Sequence, residues 1–332
     1  SSKVAQEYGQ AIASAEQQLA QGNLQDQIPL FRIFFKILVE YEKGQGSPYF
    51  QWLNSLPRFY NNGASMTTQC FDCLPPYAGW LAMTERTNSI NFRNALKFAP
   101  VLSEATVSNE SVLKWAFNVA TTRSINRNGE KLIAPLADMF NHGADPEVEI
   151  SLDQNGNVMA YAANNIPAGS PLRMSLGDPR NPSPLFATYG FLDESAPATF
   201  CKTMDMLEEM EELGYGFVDL LFQKETGEIS PQVYDLFLYS VLKQEPNLKQ
   251  DFYEACMRGD ENAKQEFHNQ YFPYTLEAMK NHVDKTLREL DDLSNKASSM
   301  DPRTHPRASM IYQHNQFVKQ TFMNVKANLD RM

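Results

Sequence analysis

Three short segments of the sequence carry side chains suited to ligand binding and catalysis. They are Asn141-His142-Gly143, the run SLGDPRN from Ser175 to Asn181, and Tyr189-Gly190-Phe191. Between an apolar run and strand-like residues, Asn-His-Gly predicts a sharp turn with exposed backbone amides and carbonyls. Such groups can hydrogen-bond the edge of an adenine ring. The alternative is a turn histidine whose ring is satisfied by a neighbouring carbonyl.

The elements around these segments predict an α+β fold. Val148, Ile150 and Leu152 alternate with polar residues, Asn155-Gly156 supplies a turn, and residues 158–162 return, which is a hairpin signal. A third short strand is expected over 172–176. The stretch 63–93 contains Pro75-Pro76 and is expected to be irregular or to form short helices. Apolar residues three or four apart predict helices over 4–19, 28–41, 110–124, 231–242, 248–257, 274–293 and 309–329.

Two domains are expected, because the pattern is helical throughout after about residue 205. The first, 1–204, would combine a mostly helical part (1–125) with a strand-containing core (126–204). The second, 205–332, would be all-helical. A length of 332 residues is enough for two separate cores.

Composition excludes some classes of partner. The chain has 40 Asp plus Glu against 29 Lys plus Arg, a net charge of -11, whereas binding to a phosphate backbone needs clustered cations. We therefore expect no nucleic-acid ligand, while a basic protein segment would be attracted. No apolar stretch is long enough to cross a membrane. Residues 1–21 show no targeting pattern, as would also be true after removal of a targeting peptide.

Cysteine usage argues against both a metal site and a disulfide framework. Cys70 and Cys73 form a C-x-x-C, but Cys201 and Cys256 provide no second pair at a spacing suited to zinc. We therefore expect reduced thiols and no metal. This usage favours an intracellular location, with plastid, cytosol and nucleus not distinguished.

Residues 133–191 resemble the carboxy-terminal half of the SET domain in the Rubisco large-subunit methyltransferase group. That group shows P-L-A-D-M-x-N-H, a hairpin, an I-x-x-G turn, S-Y-G-x-x-x-N and Y-G-F, in this order. The corresponding residues here are APLADMFNH (134–142), the hairpin, Pro167-Ala168-Gly169, SLGDPRN (175–181) and Tyr189-Gly190-Phe191. Leu56-Pro57, Glu85-Arg86 and Thr122-Arg123-Ser124 are similar to the group's long insert, and 205–332 to its helical substrate-binding domain.

The resemblance implies a protein-lysine N-methyltransferase with S-adenosylmethionine (AdoMet) as its cofactor. Tyr189 would be the catalytic residue, because in-line displacement depends on holding the amine, the methyl carbon and the sulfur in line. Asp138 would lie near the lysine end of the channel. The alternatives are a buried aromatic role for Tyr189 and a turn cap for Asp138.

The same resemblance implies four cofactor-binding residues. Arg123 would bind the cofactor carboxylate through paired hydrogen bonds, and a structural ion pair is its alternative. Asn141 and His142 would bind the adenine. Phe191 would pack on the cofactor, or else serve only as a core aromatic.

Two departures from the group's pattern bear on activity. Leu176 stands where the group has the S-Y-G tyrosine that helps to wall the active-site channel. The group also begins with a strand pair carrying a G-x-G type segment. Nothing before Ile28 resembles it, so we expect the given sequence to start after that segment; the alternative is that the protein lacks the segment and half of the cofactor pocket with it.

Two functions follow from these observations. One is a methyltransferase that acts on an accessible lysine of a partner protein, with histidine as an alternative acceptor. The other is a catalytically inactive SET-derived subunit that binds or assembles with proteins. The sequence does not set the oligomeric state.

Overall fold

The structure is a computed structural model that describes residues 1–332, apart from the side chain of Arg127. The helices are α1 (Ser2–Gln21), α2 (Ile28–Glu42), α3 (Phe50–Ser55), α4 (Thr68–Phe71), α5 (Pro76–Leu96), α6 (Glu104–Val107), α7 (Glu110–Arg123), α8 (Pro182–Tyr189), α9 (Leu207–Glu212), α10 (Pro231–Val241), α11 (Pro246–Arg258), α12 (Glu261–Ser298) and α13 (Ala308–Leu329). The strands are β1 (Ile125–Arg127), β2 (Glu130–Leu132), β3 (Asn141–His142), β4 (Val148–Leu152), β5 (Val158–Ala162), β6 (Arg173–Met174), β7 (Ala198–Phe200) and β8 (Leu221–Gln223).

The predicted α+β class is confirmed, and so are most of the predicted elements. The strands form four two-stranded sheets among the described residues, three antiparallel and one, β3 with β6, parallel. The predicted hairpin is β4–β5, with Val148 opposite Ala162 and Leu152 opposite Val158. Gly156 in its turn has a φ of 78°, which glycine adopts at little cost.

Two predictions are wrong in part, and in both cases proline is the reason. The stretch 63–93 was expected to be irregular or to contain only short helices, yet α5 has 21 residues. Pro76 is its first residue, and proline is tolerated there because the first helical N–H has no partner within the helix. The helix expected from residue 274 begins instead at Glu261 and continues through Pro273, with Asp260 accepting a hydrogen bond from the Ala263 N–H at 3.0 Å.

The chain divides into two compact units. Unit 1 comprises Ser1–Met66, Leu81–Gly177 and Leu185–Phe191; unit 2 comprises Thr67–Trp80, Asp178–Pro184 and Leu192–Met332. The predicted boundary near residue 205 separates two domains expected to fold independently. The division into compact units does not test that, so the boundary stays a prediction.

Aromatic side chains fill the centre of unit 1. Phe31 and Phe34 from α2, Phe92 from α5 and Phe117 from α7 are fully buried. The Phe92 ring lies edge-on to Phe31 at 5.4 Å and to Phe117 at 5.5 Å, which is a favoured arrangement of aromatic rings. This packing anchors α7, so that Arg123 at its carboxyl end has a fixed position.

Unit 2 is built around α10, α12 and α13. On α13 the buried residues recur at helical spacing, as at Ile311, Val318 and Phe322. Asp235 on α10 is 2% exposed. Its charge is compensated, because the carboxylate accepts hydrogen bonds from Tyr215 Oη and His268 Nε2, each at 2.7 Å, and pairs with an ammonium group on α12.

No helix in the described part of the chain is both long and apolar enough to span a membrane. Leaving aside the Arg127 side chain, no cluster of His, Cys, Asp and Glu side chains has the arrangement of a metal site. All four cysteines are free thiols; Cys70, Cys73 and Cys201 are buried. Burial raises the pKa of Cys73.

Candidate active site

Unit 1 contains a cavity of about 400 Å³ at the carboxyl end of α7. Arg123, Asp138, Leu176 and Tyr189 contribute to its wall, together with the β1–β2 hairpin. Three of the six residues proposed from the resemblance therefore face one space. They come from three separate segments of the chain.

A tight turn positions the hairpin side of this wall. Asn128 and Gly129 both have positive φ values, 50° and 80°, as expected for the two-residue Asn-Gly turn of a β-hairpin. The register places Asn126 opposite Lys131. Both residues line the cavity.

Asp138 forms the buried polar end of the cavity. Its carboxylate Oδ2 accepts a hydrogen bond from the Trp52 indole at 3.1 Å, and its backbone carbonyl accepts one from Arg123 Nη1 at 2.7 Å. The other oxygen, Oδ1, has no hydrogen-bond partner among the described residues. Burial raises the pKa of Asp138, although Trp52 and Arg123 act in the opposite direction.

The backbone beside Asp138 is strained. Leu136 has a φ of 79° and a ψ of -46°, a conformation that bulky residues rarely adopt, and its side chain is 80% exposed. Such strain tends to concentrate at functional sites. The adjoining turn is closed by a hydrogen bond from the Met139 N–H to the Leu136 carbonyl at 3.1 Å.

Asn141 and His142 form β3, which pairs in parallel with β6. His142 Nδ1 accepts a hydrogen bond from the Leu176 N–H at 3.1 Å, so the imidazole holds the segment that carries Leu176. The His142 ring also lies 5.6 Å from Phe191. Neither ring lines the cavity itself, and Asn141 is exposed outside it.

Tyr189, the last residue of α8, lines the cavity. The hydroxyl donates a hydrogen bond to the Leu176 carbonyl at 3.2 Å. Burial raises the pKa of Tyr189, and the nearby Glu85 carboxylate raises it further. The phenol is therefore protonated at neutral pH and acts as a hydrogen-bond donor with a fixed direction.

Two residues of this region were missed by the sequence reasoning. Lys131 lines the cavity, and the overlooked signal was the Asn128-Gly129 pair, a strong hairpin indicator whose register brings Lys131 to the wall. Glu85 was noted only as part of a motif. Its Oε1 accepts a hydrogen bond from Thr188 Oγ1 at 3.0 Å, and burial raises its pKa.

The glycine after Tyr189 gives a stability prediction. Gly190 has a φ of 81°, and a Cβ there would lie 2.5 Å from the backbone N of Asn62. Gly190→Ala is therefore expected to destabilise the protein by about 3 kcal/mol or more, since both backbone strain and overlap with a neighbouring backbone must be accommodated. The free energy of unfolding in urea measures the effect.

Gly156→Ala is the matched control for this change. Gly156 has a similar φ of 78° but no atom within 4 Å of the added Cβ, so only the backbone term of about 1–2 kcal/mol is expected. Equal losses at the two positions would show that the close approach to Asn62 does not constrain this turn.

Comparison of the sequence with protein-family models and with curated proteins finds no match. Comparison with solved structures does find similar proteins. Rubisco LSMT bound to AdoMet has a TM-score of 0.58 at 13% identity, covering 97% of this chain and 79% of that chain. The SET domain of LSMT bound to lysine and AdoHcy has a TM-score of 0.58 at 11% identity, covering 90% and 74%.

A third solved structure gives the same result. Rubisco LSMT bound to sinefungin and monomethyllysine has a TM-score of 0.58 at 12% identity, covering 90% of this chain and 74% of that chain. Identities this low establish the fold alone. The similarity inferred from residues 133–191 is nevertheless confirmed at that level: the protein has a SET-domain fold of the Rubisco LSMT type.

Proposed function

We propose that this protein is an AdoMet-dependent protein-lysine N-methyltransferase. The observation that carries the proposal is the convergence of Arg123, Asp138 and Tyr189 on one cavity. It is supported by the fold, since one similar solved structure holds AdoMet, a second holds AdoHcy with lysine, and a third holds sinefungin with monomethyllysine.

The cavity has groups that fit this cofactor. A guanidinium at Arg123 is suited to a carboxylate, whereas the rings of His142 and Phe191, 5.6 Å apart, do not line the cavity. The unpartnered Asp138 Oδ1 is a buried acceptor whose desolvation is offset only when a donor binds it. Bound there, AdoMet would supply an electrophilic methyl group on a sulfonium.

The roles of the chain's own residues follow from their contacts. The Tyr189 hydroxyl, held by the Leu176 carbonyl, limits the directions from which an amine can enter. Asp138 attracts the cationic end of an incoming lysine. Burial within the cavity then favours loss of the lysine proton, because a desolvated ammonium has a lowered pKa.

The substrate would be a protein with an accessible lysine, within a segment that tolerates the acidic surface of this chain. A net charge of -11 favours basic segments and disfavours nucleic acid. We assign docking of the folded partner to the helical region 205–332. Free thiols, three of them buried, support an intracellular location.

Isothermal titration calorimetry with AdoMet or S-adenosylhomocysteine tests the proposal on the purified chain. We expect saturable binding at one site. Arg123→Met is the matched variant, because it keeps the apolar stem and removes the guanidinium, and it should bind more weakly. The absence of any binding heat from the wild-type protein at high ligand concentration would overturn the assignment.

One observation favours a second candidate, a SET-derived binding subunit without catalytic activity. The cavity presents the alkyl side chain of Leu176 where the family pattern has a tyrosine, so Tyr189 is the only phenol among the residues that line it. In addition, the Arg123 guanidinium already donates to the Asp138 carbonyl. A chain that binds a lysine-bearing protein but transfers no methyl group would match this candidate.

Substitution at position 176 separates the two candidates. Leu176→Tyr is expected to raise methyl transfer by about tenfold or more, because a second directed hydroxyl would improve alignment of the amine. Transfer of labelled methyl from AdoMet to free lysine or polylysine measures the effect. Leu176→Phe is the control, since it adds the ring without the hydroxyl; equal rates for the Tyr and Phe variants would rule out this explanation.

A further inference from the structure

The cavity contains a lysine of the chain itself. Lys131, on β2, is the only lysine among the residues that line it, and it shares the wall with Asp138, Leu176 and Tyr189. Its position is set by the hairpin register opposite Asn126, not by a mobile loop. The ammonium group sits on a flexible four-carbon stem, so the amine can move while the backbone stays in the sheet.

The charges around Lys131 suit an amine that loses its proton. Burial lowers the pKa of Lys131, and the carboxylate of Glu85 acts in the opposite direction. Burial also raises the pKa of Glu85, which weakens that opposition.

We propose that Lys131 is a self-methylation site: its Nζ accepts a methyl group from a sulfonium donor bound in the same cavity. The inference rests on the proposed function. The lone pair of the neutral amine forms an N–C bond to the methyl carbon as the C–S bond breaks. The sulfur keeps the bonding electron pair and becomes a thioether, and the amine then releases a proton to solvent.

An intramolecular acceptor has a distinctive kinetic signature. The amine and the bound donor belong to one complex, so the reaction is first order and its rate constant is independent of protein concentration. Modification of one molecule by another would instead depend on concentration. Because Lys131 and an incoming lysine occupy the same cavity, the two would compete.

The experiment incubates the purified full chain with AdoMet alone and locates methyl groups by peptide mass spectrometry. We expect methylation of Lys131 at a rate constant that does not change on dilution, and none at Lys97, an exposed lysine in unit 1. Lys131→Met should abolish the labelling and Lys97→Arg should leave it unchanged. Lys131→Arg serves as a second variant that keeps the charge if the methionine variant folds poorly.

A second readout does not depend on activity. Limited reaction with an amine-specific reagent should modify Lys131 less when S-adenosylhomocysteine is bound, whereas Lys97 should be equally reactive with and without it. Calorimetric binding of the ligand without protection or methylation of Lys131 would overturn the self-methylation site and leave the proposed function standing. Absence of ligand binding would overturn both.

Discussion

Replacing Tyr189 by phenylalanine is expected to lower methyl transfer by about 100-fold while AdoMet binding is retained, because the loss falls on alignment of the reacting groups. The hydroxyl is the feature removed. In the structure it donates to the Leu176 carbonyl at 3.2 Å, and burial keeps it protonated by raising its pKa. A phenylalanine ring fills the same space but cannot direct an amine.

Three measurements make this prediction specific. Label transfer from AdoMet to free lysine gives the rate, calorimetry gives cofactor affinity, and urea unfolding gives stability. Loss of the hydrogen bond should cost about 1 kcal/mol, too little to explain the fall in rate by unfolding. Tyr161→Phe, at an exposed tyrosine on β5, is the control and should be unaffected. Wild-type activity in the Tyr189 variant would remove Tyr189 from the catalytic role.

The second large effect concerns stability and arises in unit 2. Lys202 is 6% exposed, and its Nζ has no hydrogen-bond partner in the part of the chain that the structure describes. The Tyr77 ring, 5.3 Å from Nζ, offers limited compensation. Burial lowers the pKa of Lys202 to about 7, with Cys201 acting in the opposite direction. Protonation of this buried amine therefore opposes folding.

The sign of the pH dependence follows from proton counting. Between about pH 7 and the ordinary value of 10.5, the unfolded chain carries a proton on Lys202 that the folded chain does not. Stability should therefore rise with pH across this window by about 1.4 kcal/mol per unit. Below pH 7 both states are protonated and the cost stays constant; above 10.5 neither is, and the cost disappears.

The variant Lys202→Met isolates this effect. Methionine keeps an unbranched side chain and occupies the same left-handed backbone, where φ is 66°, so backbone strain is unchanged. We expect Lys202→Met to be more stable than wild type at pH 7, and the difference to shrink as pH rises towards 10. Urea unfolding at a series of pH values provides the measurement.

Two other titratable groups in unit 2 help to test whether the pH dependence comes from Lys202. Lys264→Met should have the opposite sign, because Lys264 pairs with the buried Asp235 at 2.9 Å and its removal leaves that carboxylate less compensated. Burial, with the Lys202 charge acting in the same direction, lowers the pKa of His314 to about 3, so removing Lys202 also alters the His314 contribution, but only below pH 6.5 and outside the window of pH 7 to 10. A difference between Lys202→Met and wild type that does not vary from pH 7 to 10 would contradict the buried neutral amine.

The sequence predicted local features correctly where interactions between nearby residues determine the structure. The alternation around Asn155-Gly156 predicted the β4–β5 hairpin, and apolar spacing predicted α2, α7 and α13, because periodicity reports directly which face of an element is buried. The order of motifs from Ala134 to Phe191 likewise indicated the fold later matched by solved structures. The Pro75-Pro76 pair led to a wrong prediction. Proline breaks a helix from within but is tolerated as its first residue, which is where Pro76 lies in α5.

Only part of the candidate site could be predicted from the sequence. The sequence indicated Arg123, Asp138 and Tyr189, whose convergence on one cavity only the tertiary structure could display. The hydrogen bond between His142 Nδ1 and the Leu176 N–H has no sequence signal, because it joins β3 to the segment that follows β6, and the two lie far apart in the chain.

Residue types and their order thus determined the fold class, the main helices and the positions of three cavity residues. Tertiary packing decided the surroundings of two amines: Lys131 lines the cavity, and the buried Nζ of Lys202 has no hydrogen-bond partner among the described residues, although lysine is usually an exposed residue. The physical reason is the distance along the chain over which each effect acts. Periodicity and turn chemistry act over a few residues, whereas desolvation of a side chain is set by segments that are distant in the chain.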